Sequence, residues 1–133
     1  MTPKGLKYVI HHHFSRHPHF DLRLEAAGVL KSWAVPKEPS LDPKVKRLAV
    51  MVEDHPLAYG DFEGTIPEGE YGAGEVQLWD QGTYENLKPQ PLTTSIQQGR
   101  VEVRLKGRKL QGSFALIRLK GQEKNWLFFK MKD

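Results

Sequence analysis

The chain's 133 residues, 38% of them apolar and 27% charged, suffice for one domain spanning 1–133 with a sizeable core, and are too few for two. The absence of cysteine excludes disulfides, thiolate metal ligands and cysteine nucleophiles together, and no run approaches the roughly 20 apolar residues that cross a bilayer. Twenty Lys and Arg against 16 Asp and Glu give a formal charge of +4, which points to a polyanionic partner and, with no secretion signal in MTPKGLKYVI, to a cytoplasmic protein without membrane association.

The first predicted strand, Leu6 to His12, runs into a cluster of histidines, "YVIHHHFSRHPHFDLRLE", that holds five of the chain's six. The run of three is flanked by Ile10 and Phe14 and lies away from the terminus, so it is not a purification tag. After a turn at Ser15 to Pro18, a second strand spans His19 to Glu25. Side chains alternate across a strand, so Phe20, Leu22 and Leu24 form a core face, with His19, Asp21, Arg23 and Glu25 on the other. A third strand covers Gly28 to Val35, and the proline-rich "AVPKEPSLDPKVKR" must be an ordered loop. A fourth strand, Arg47 to Asp54, buries Leu48, Val50 and Val52 by the same arithmetic and groups Arg47, Glu53 and His55.

"IPEGEYGAGEV" is the densest turn signal, and its glycines serve tight turns, since their spacing is not that of a Walker loop. Strands follow at Glu75 to Trp79, Arg100 to Lys106, Lys109 to Leu119 and Trp126 to Met131. Between them "LTTSIQQG" reads as a short helix, capped by Thr93 or Thr94 and ended by Gly99. Trp33, Trp79 and Trp126 are expected in the core, Tyr71 is expected to pack, and His17 is expected at the surface. Many short strands at regular spacing predict an all-β protein, a barrel or a sandwich, with the one short helix plugging or flanking it.

Two strands thus each offer histidine, carboxylate and arginine on a polar face. His19 and Asp21 share such a face, and one of His11, His12 or His13 completes a set of two histidines and one carboxylate that leaves metal coordination positions open. His11 and His13 share a parity, and His13 lies nearer the turn, so His13, His19 and Asp21 form the sharpest metal reading. Arg23 follows, with Lys37, Arg47 and His55 as candidates to converge on it. Arginine forks and lysine charges bind phosphate oxygens, which a metal polarises, so phosphate-ester chemistry is expected. Two alternatives use part of the pattern. An iron oxygenase needs the same metal set but not the cations, and a non-catalytic nucleic-acid-binding barrel needs the cations but not His19 and Asp21 on one strand.

The segments "HHHFSRHPHFDLRLEAAGVLKSWAVPKEPSLDP", "RLAVMVEDHPLAYGDFEGTIPEGEYGAGEVQLWDQGTY" and "KLQGSFALIRLKGQEKNWLFFKMKD" closely resemble the 3′-phosphoesterase domain of bacterial DNA ligase D, in order and over almost the whole chain. The resemblance is weakest from Leu87 to Gly99. It implies a compact closed or nearly closed β-barrel with an active-site groove on its surface, and a manganese-dependent enzyme of DNA break repair, with cobalt or zinc as substitute ions, that removes a 3′-phosphate, and in the family a 3′-terminal ribonucleoside, to leave a 3′-hydroxyl. It further implies metal ligands at His13, His19 and Asp21, phosphate contacts from Arg23 and His55, and active-site positions at Lys37, Arg47, Glu53 and Tyr59. The expected substrates are DNA or RNA-tipped DNA 3′ ends, handled by a monomer alongside a separate ligase and polymerase. Ligase-fused members carry further active-site residues ahead of the first strand, whereas seven residues precede Tyr8 here. Weak or absent ribonucleoside removal is therefore expected. His17-Pro18 also replaces the family's usual Arg-Leu.

Overall fold

The protein is described by a computed structural model covering residues 5–132. Its strands are β1 (Leu6–Phe14), β2 (His19–Ala26), β3 (Val29–Val35), β4 (Arg47–Pro56), β5 (Gly64–Ile66), β6 (Gly74–Asn86), β7 (Arg100–Lys106), β8 (Gln111–Arg118) and β9 (Asn125–Lys130). The sheet order is β1-β2-β3-β4-β9-β8-β7-β6-β5, and a further β1–β6 pairing closes eight of the strands into an antiparallel barrel. Closure leaves β5 outside, paired only to the start of β6. The expected all-β barrel with one short helix is what forms.

Paired residues share a face, so register fixes what the barrel encloses. Ile10 opposes Leu22, which opposes Trp33, which opposes Met51, and all four belong to or pack on one core cluster with Trp126, Phe114 and Phe128. Trp33 and Trp126 are fully buried and meet edge to face at 5.7 Å. Trp79 is only partly buried against this core.

The opposite parity of β1 to β4 faces outward, yet His11, His13, Asp21 and Arg23 are buried there. They are covered by the excursion between β4 and β6, which comprises a 3₁₀ turn (Leu57–Asp61), β5 and the glycine-rich loop to Gly74. The reactive-looking face is therefore the outer wall of the barrel, roofed by one long connection.

Several expectations are corrected. In β4 the core residue is Ala49, while Leu48 is 42% exposed, and Val50 and Val52 face outward with the groove. The parity expected from "RLAVMV" fails because both parities of this run are apolar, so Val50 reads as core in sequence, whereas it pairs with outward Ala34, and Ala49 and Met51 take the core side. A register shift between Leu30 and Ser32 then places Glu53 and Asp54 against the single Lys31, a β-bulge that returns His55 to the face of Val52. Strand β6 runs to Asn86 rather than stopping at Trp79. Asp80 and Gly82 look like turn residues but are strand positions with tertiary duties: a Cβ at Gly82 would lie within 2.1 Å of the Lys106 carbonyl oxygen. The helix α1 (Leu92–Gln98) does end at Gly99, in the left-handed region at φ 86°, but its N-cap is Pro91 with no side-chain cap, not Thr93 or Thr94. It flanks the barrel by burying Leu92 against the core and offering Ile96 and Gln97 carbonyls to Arg118.

Candidate active site and metal centre

The outer face of β1 to β4 and the roofing excursion enclose a groove of about 540 Å³. His13, His19, Asp21, Arg23, His55 and Tyr59 line it together.

Cross-strand pairing sets His13 opposite His19, and alternation puts Asp21 on their side. One ligand atom from each of the three lies within 4.8 Å of the others. The tautomers follow from the surrounding carbonyls. His13 Nε2–H donates to the Gly72 carbonyl at 2.8 Å, and His19 Nδ1–H donates to the His17 carbonyl at 2.8 Å. That leaves His13 Nδ1 at 3.7 Å and His19 Nε2 at 3.2 Å from the Asp21 carboxylate, each offering a lone pair when the ring is neutral. Two lone pairs and a carboxylate facing one point require a positive charge between them. The hydrogen bond to Asp21 accordingly raises the His19 pKa. Burial by itself would raise the Asp21 pKa, but His19 and Arg23 outweigh it and hold it low. Outer carbonyls that fix imidazole orientation and a donor set of nitrogen and oxygen are what a first-row divalent ion uses, so the residues fit a metal.

The other histidines of the run have different work. His11 is fully buried; its Nδ1 accepts from Arg23 Nε at 3.1 Å and its Nε2–H donates to the Phe62 carbonyl at 3.1 Å. Burial first, and Arg23 second, lower its pKa to about 4, so it is neutral and serves to place the arginine. His12 points the other way, stacked between Phe14 and Phe20 at 4.0 and 4.1 Å.

Arg23 is committed on most of its hydrogens. Besides His11, Nη1 donates to Ser32 Oγ at 2.8 Å and to His55 Nδ1 at 3.1 Å, and Nη2 lies 3.3 Å from Asp21 Oδ2. One Nη2 hydrogen remains for a ligand, so Arg23 offers a single contact rather than a fork. Because arginine cannot accept, His55 Nδ1 is the acceptor there, and its 3.3 Å approach to the Glu53 carbonyl is not a hydrogen bond. Burial, then the charge of Arg23, lowers the His55 pKa. Neutral His55 therefore carries its proton on Nε2. Tyr59 lies across both groups, with the Arg23 guanidinium 5.0 Å from its ring centroid and the His55 ring 4.9 Å away.

Three residues named from the sequence lie elsewhere. Lys37 is exposed and does not line this groove. Arg47 donates through Nε to the Glu38 carbonyl at 2.7 Å and lines a second groove with Trp79 and Lys109. Glu53 is exposed on the bulge beside the Tyr71 hydroxyl, whose pKa it raises. Tyr71 itself is 82% exposed at the groove's edge, so it does not pack as expected. Sequence reasoning weighed His11 only as a metal ligand and gave no part to Ser32 or to the carbonyls of His17 and Gly72. The parity shared by His11, His13 and Arg23 was the one available signal.

The sequence profile of the DNA Ligase D 3′-phosphoesterase domain matches residues 11–118, a span that contains every residue of this groove. The chain belongs to this family. Among curated relatives of the 3′-phosphoesterase domain, it is 50% identical over 130 residues to the multifunctional non-homologous end joining protein LigD of Pseudomonas aeruginosa, covering 96% of this chain and 15% of that protein. It is 47% identical over 133 residues to the multifunctional non-homologous end joining DNA repair protein LigD of Mycobacterium tuberculosis, covering 100% of this chain and 17% of the relative. A similar match to LigD of Mycolicibacterium smegmatis has 49% identity over 136 residues, 99% of this chain and 18% of that protein. The 3′-phosphoesterase domain described here therefore spans less than a fifth of the length of these relatives. No helix among its described residues is long and apolar enough to cross a membrane.

Proposed function

We propose that this domain is a manganese-dependent phosphoesterase that heals DNA 3′ ends in break repair by non-homologous end joining. In this reading it removes a 3′-phosphate to leave a 3′-hydroxyl, and a 3′-terminal ribonucleoside is at best a poorer second substrate. The observation that carries the proposal is the pair of carbonyl-locked imidazoles facing Asp21 in the same groove as Arg23 and His55.

His13 Nδ1, His19 Nε2 and an Asp21 oxygen would hold the ion. When bound, manganese supplies Lewis-acid polarisation of a nonbridging phosphate oxygen. Arg23 gives its remaining Nη2 hydrogen to a second oxygen, and the neutral His55 Nε2–H binds a third. His11 and Ser32 keep the guanidinium aimed, since each removes one direction in which it could turn. Tyr59 covers its face and limits water there. Water is the nucleophile, and the 3′-oxygen of the end is the leaving group. Cobalt and zinc suit the same nitrogen and oxygen donors. The cytoplasm, a monomeric state and cooperation with a separate ligase and polymerase complete the proposal.

A primer–template with a labelled strand ending in either a 3′-phosphate or a single 3′-ribonucleotide tests it. Incubation with manganese, zinc or chelator should give metal-dependent loss of the phosphate, read as a mobility shift. No change in either substrate under any metal would overturn the reading in favour of a binding module.

A further inference from the structure

The second groove, about 410 Å³, opens near the strand ends that carry His12 and Phe20, where Arg47, Trp79 and Lys109 form its walls. One wall belongs to the connection between β7 and β8, "KGRKL", residues 106 to 110, which is held unusually firmly. Asp80, only 3% exposed, accepts from the backbone N–H groups of Arg108 at 2.7 Å, Lys109 at 3.0 Å and Leu110 at 2.9 Å, and from the Tyr8 hydroxyl at 2.8 Å. A Cβ at Gly107 would fall 2.3 Å from the same carboxylate. One buried acid thus fixes the turn's backbone inward, and Lys106, Arg108 and Lys109 are all exposed.

Among the described residues, none of these three side chains is paired with a carboxylate within ion-pair distance. Lys109 instead lies over the Trp79 ring, 4.4 Å from its centroid, and Arg47 meets the carbonyl rather than the carboxylate of Glu38. The paired strands β1 and β2 connect the two grooves: His12 and Phe20, next in sequence to His13 and His19, stack at 4.1 Å, and Phe20 meets Trp79 edge to face at 5.5 Å. The rigid turn carries Lys109 on this groove and Lys106 and Arg108 on a separate depression shared with Lys7, and such a series of unneutralised cations matches the regular charge of a phosphodiester backbone. The lining is mixed, with Arg47 and Lys109 beside Trp79, Leu41, Leu110 and one acid, Glu38, and its two cations suit phosphate contact.

We propose that the 106–109 turn and Arg47 form a track for the backbone of the single strand whose 3′ end enters the metal groove. This assignment rests on the end-healing reading for its choice of strand.

The test is fluorescence anisotropy with oligothymidylates of about 2 to about 12 nucleotides, ending in 3′-phosphate or 3′-hydroxyl. The wild-type chain is compared with the variant Lys106→Gln, Arg108→Gln, Lys109→Gln, whose folding is checked by its melting curve. Wild-type affinity should rise with length. The variant should bind the shortest oligonucleotide like wild type and the longest about tenfold or more weakly, and its salt slope should fall by about 2, at roughly 0.7 per single-strand contact. Unchanged length dependence in the variant would overturn the track. If the length effect is lost in the variant but no phosphate is released by either protein, the track stands and the end-healing reading falls. If phosphate is released and the length effect persists, the reverse holds.

Discussion

Asp21 is the residue on which both halves of the site converge, since His13 and His19 face it from one side and Arg23 from the other. His19→Ala and Asp21→Ala should each lower metal-dependent phosphate release by at least about 100-fold, in keeping with the loss of a Lewis-acid site, with unchanged circular dichroism. Near-normal turnover by either would remove the metal assignment. Proton and metal compete for His19, whose pKa is raised above 6.5 first by its hydrogen bond to Asp21. The affinity for manganese should therefore weaken as pH falls through that raised value, by up to about tenfold per unit, in titrations followed by electron paramagnetic resonance. The spacing of His13, His19 and Asp21 was legible because alternation in a strand is local. The His17 and Gly72 carbonyls that set the tautomers were not, because a backbone oxygen's direction depends on the turn and on the fold around it.

At the scale of elements, the bulge in β4 and the roofing loop decide which side chains meet. His55 reaches Arg23 only because Glu53 and Asp54 share one partner, and alternation read from sequence has no means of counting an extra residue. The same bulge turns Glu53 outward, so Glu53→Gln should perturb the end-healing reaction much less than His55→Ala, measured as kcat/KM on a 3′-phosphate end. Gly72 has φ +77° and carries the carbonyl that holds His13. Gly72→Ala should cost about 1 kcal/mol of stability and weaken metal binding several-fold, and an unaltered metal affinity would show that the carbonyl does not orient His13. The brief β5 was not anticipated, since "EGTIPEGE" is dominated by glycine, proline and acid, and it is a strand because β6 offers it an edge.

For the whole molecule, the barrel was readable from the number and spacing of strands, and its interior from β2 above all, where Phe20, Leu22 and Leu24 point inward as expected. The resemblance put the groove on the barrel's surface; what the sequence did not disclose is that the 57–73 excursion roofs it, and that Arg47 and Lys37 lie away from it. Roofing the outer face buries His11 in its neutral form, with a pKa lowered to about 4 against 6.5 in an unfolded chain. Stability from this group is complete above pH 6.5 and falls as pH drops towards 4, by up to about 3 kcal/mol. Urea unfolding between neutral and acidic pH should show a smaller loss for His11→Asn than for wild type. The measurement that bears most directly on the account is a manganese titration of the wild-type chain and Asp21→Ala, followed by electron paramagnetic resonance alongside phosphate release from a 3′-phosphate end. The account predicts one ion per wild-type chain, activity that saturates with its binding, and loss of both in the variant; an ion bound equally well without the Asp21 carboxylate, or phosphate released at full rate in chelator, would contradict it.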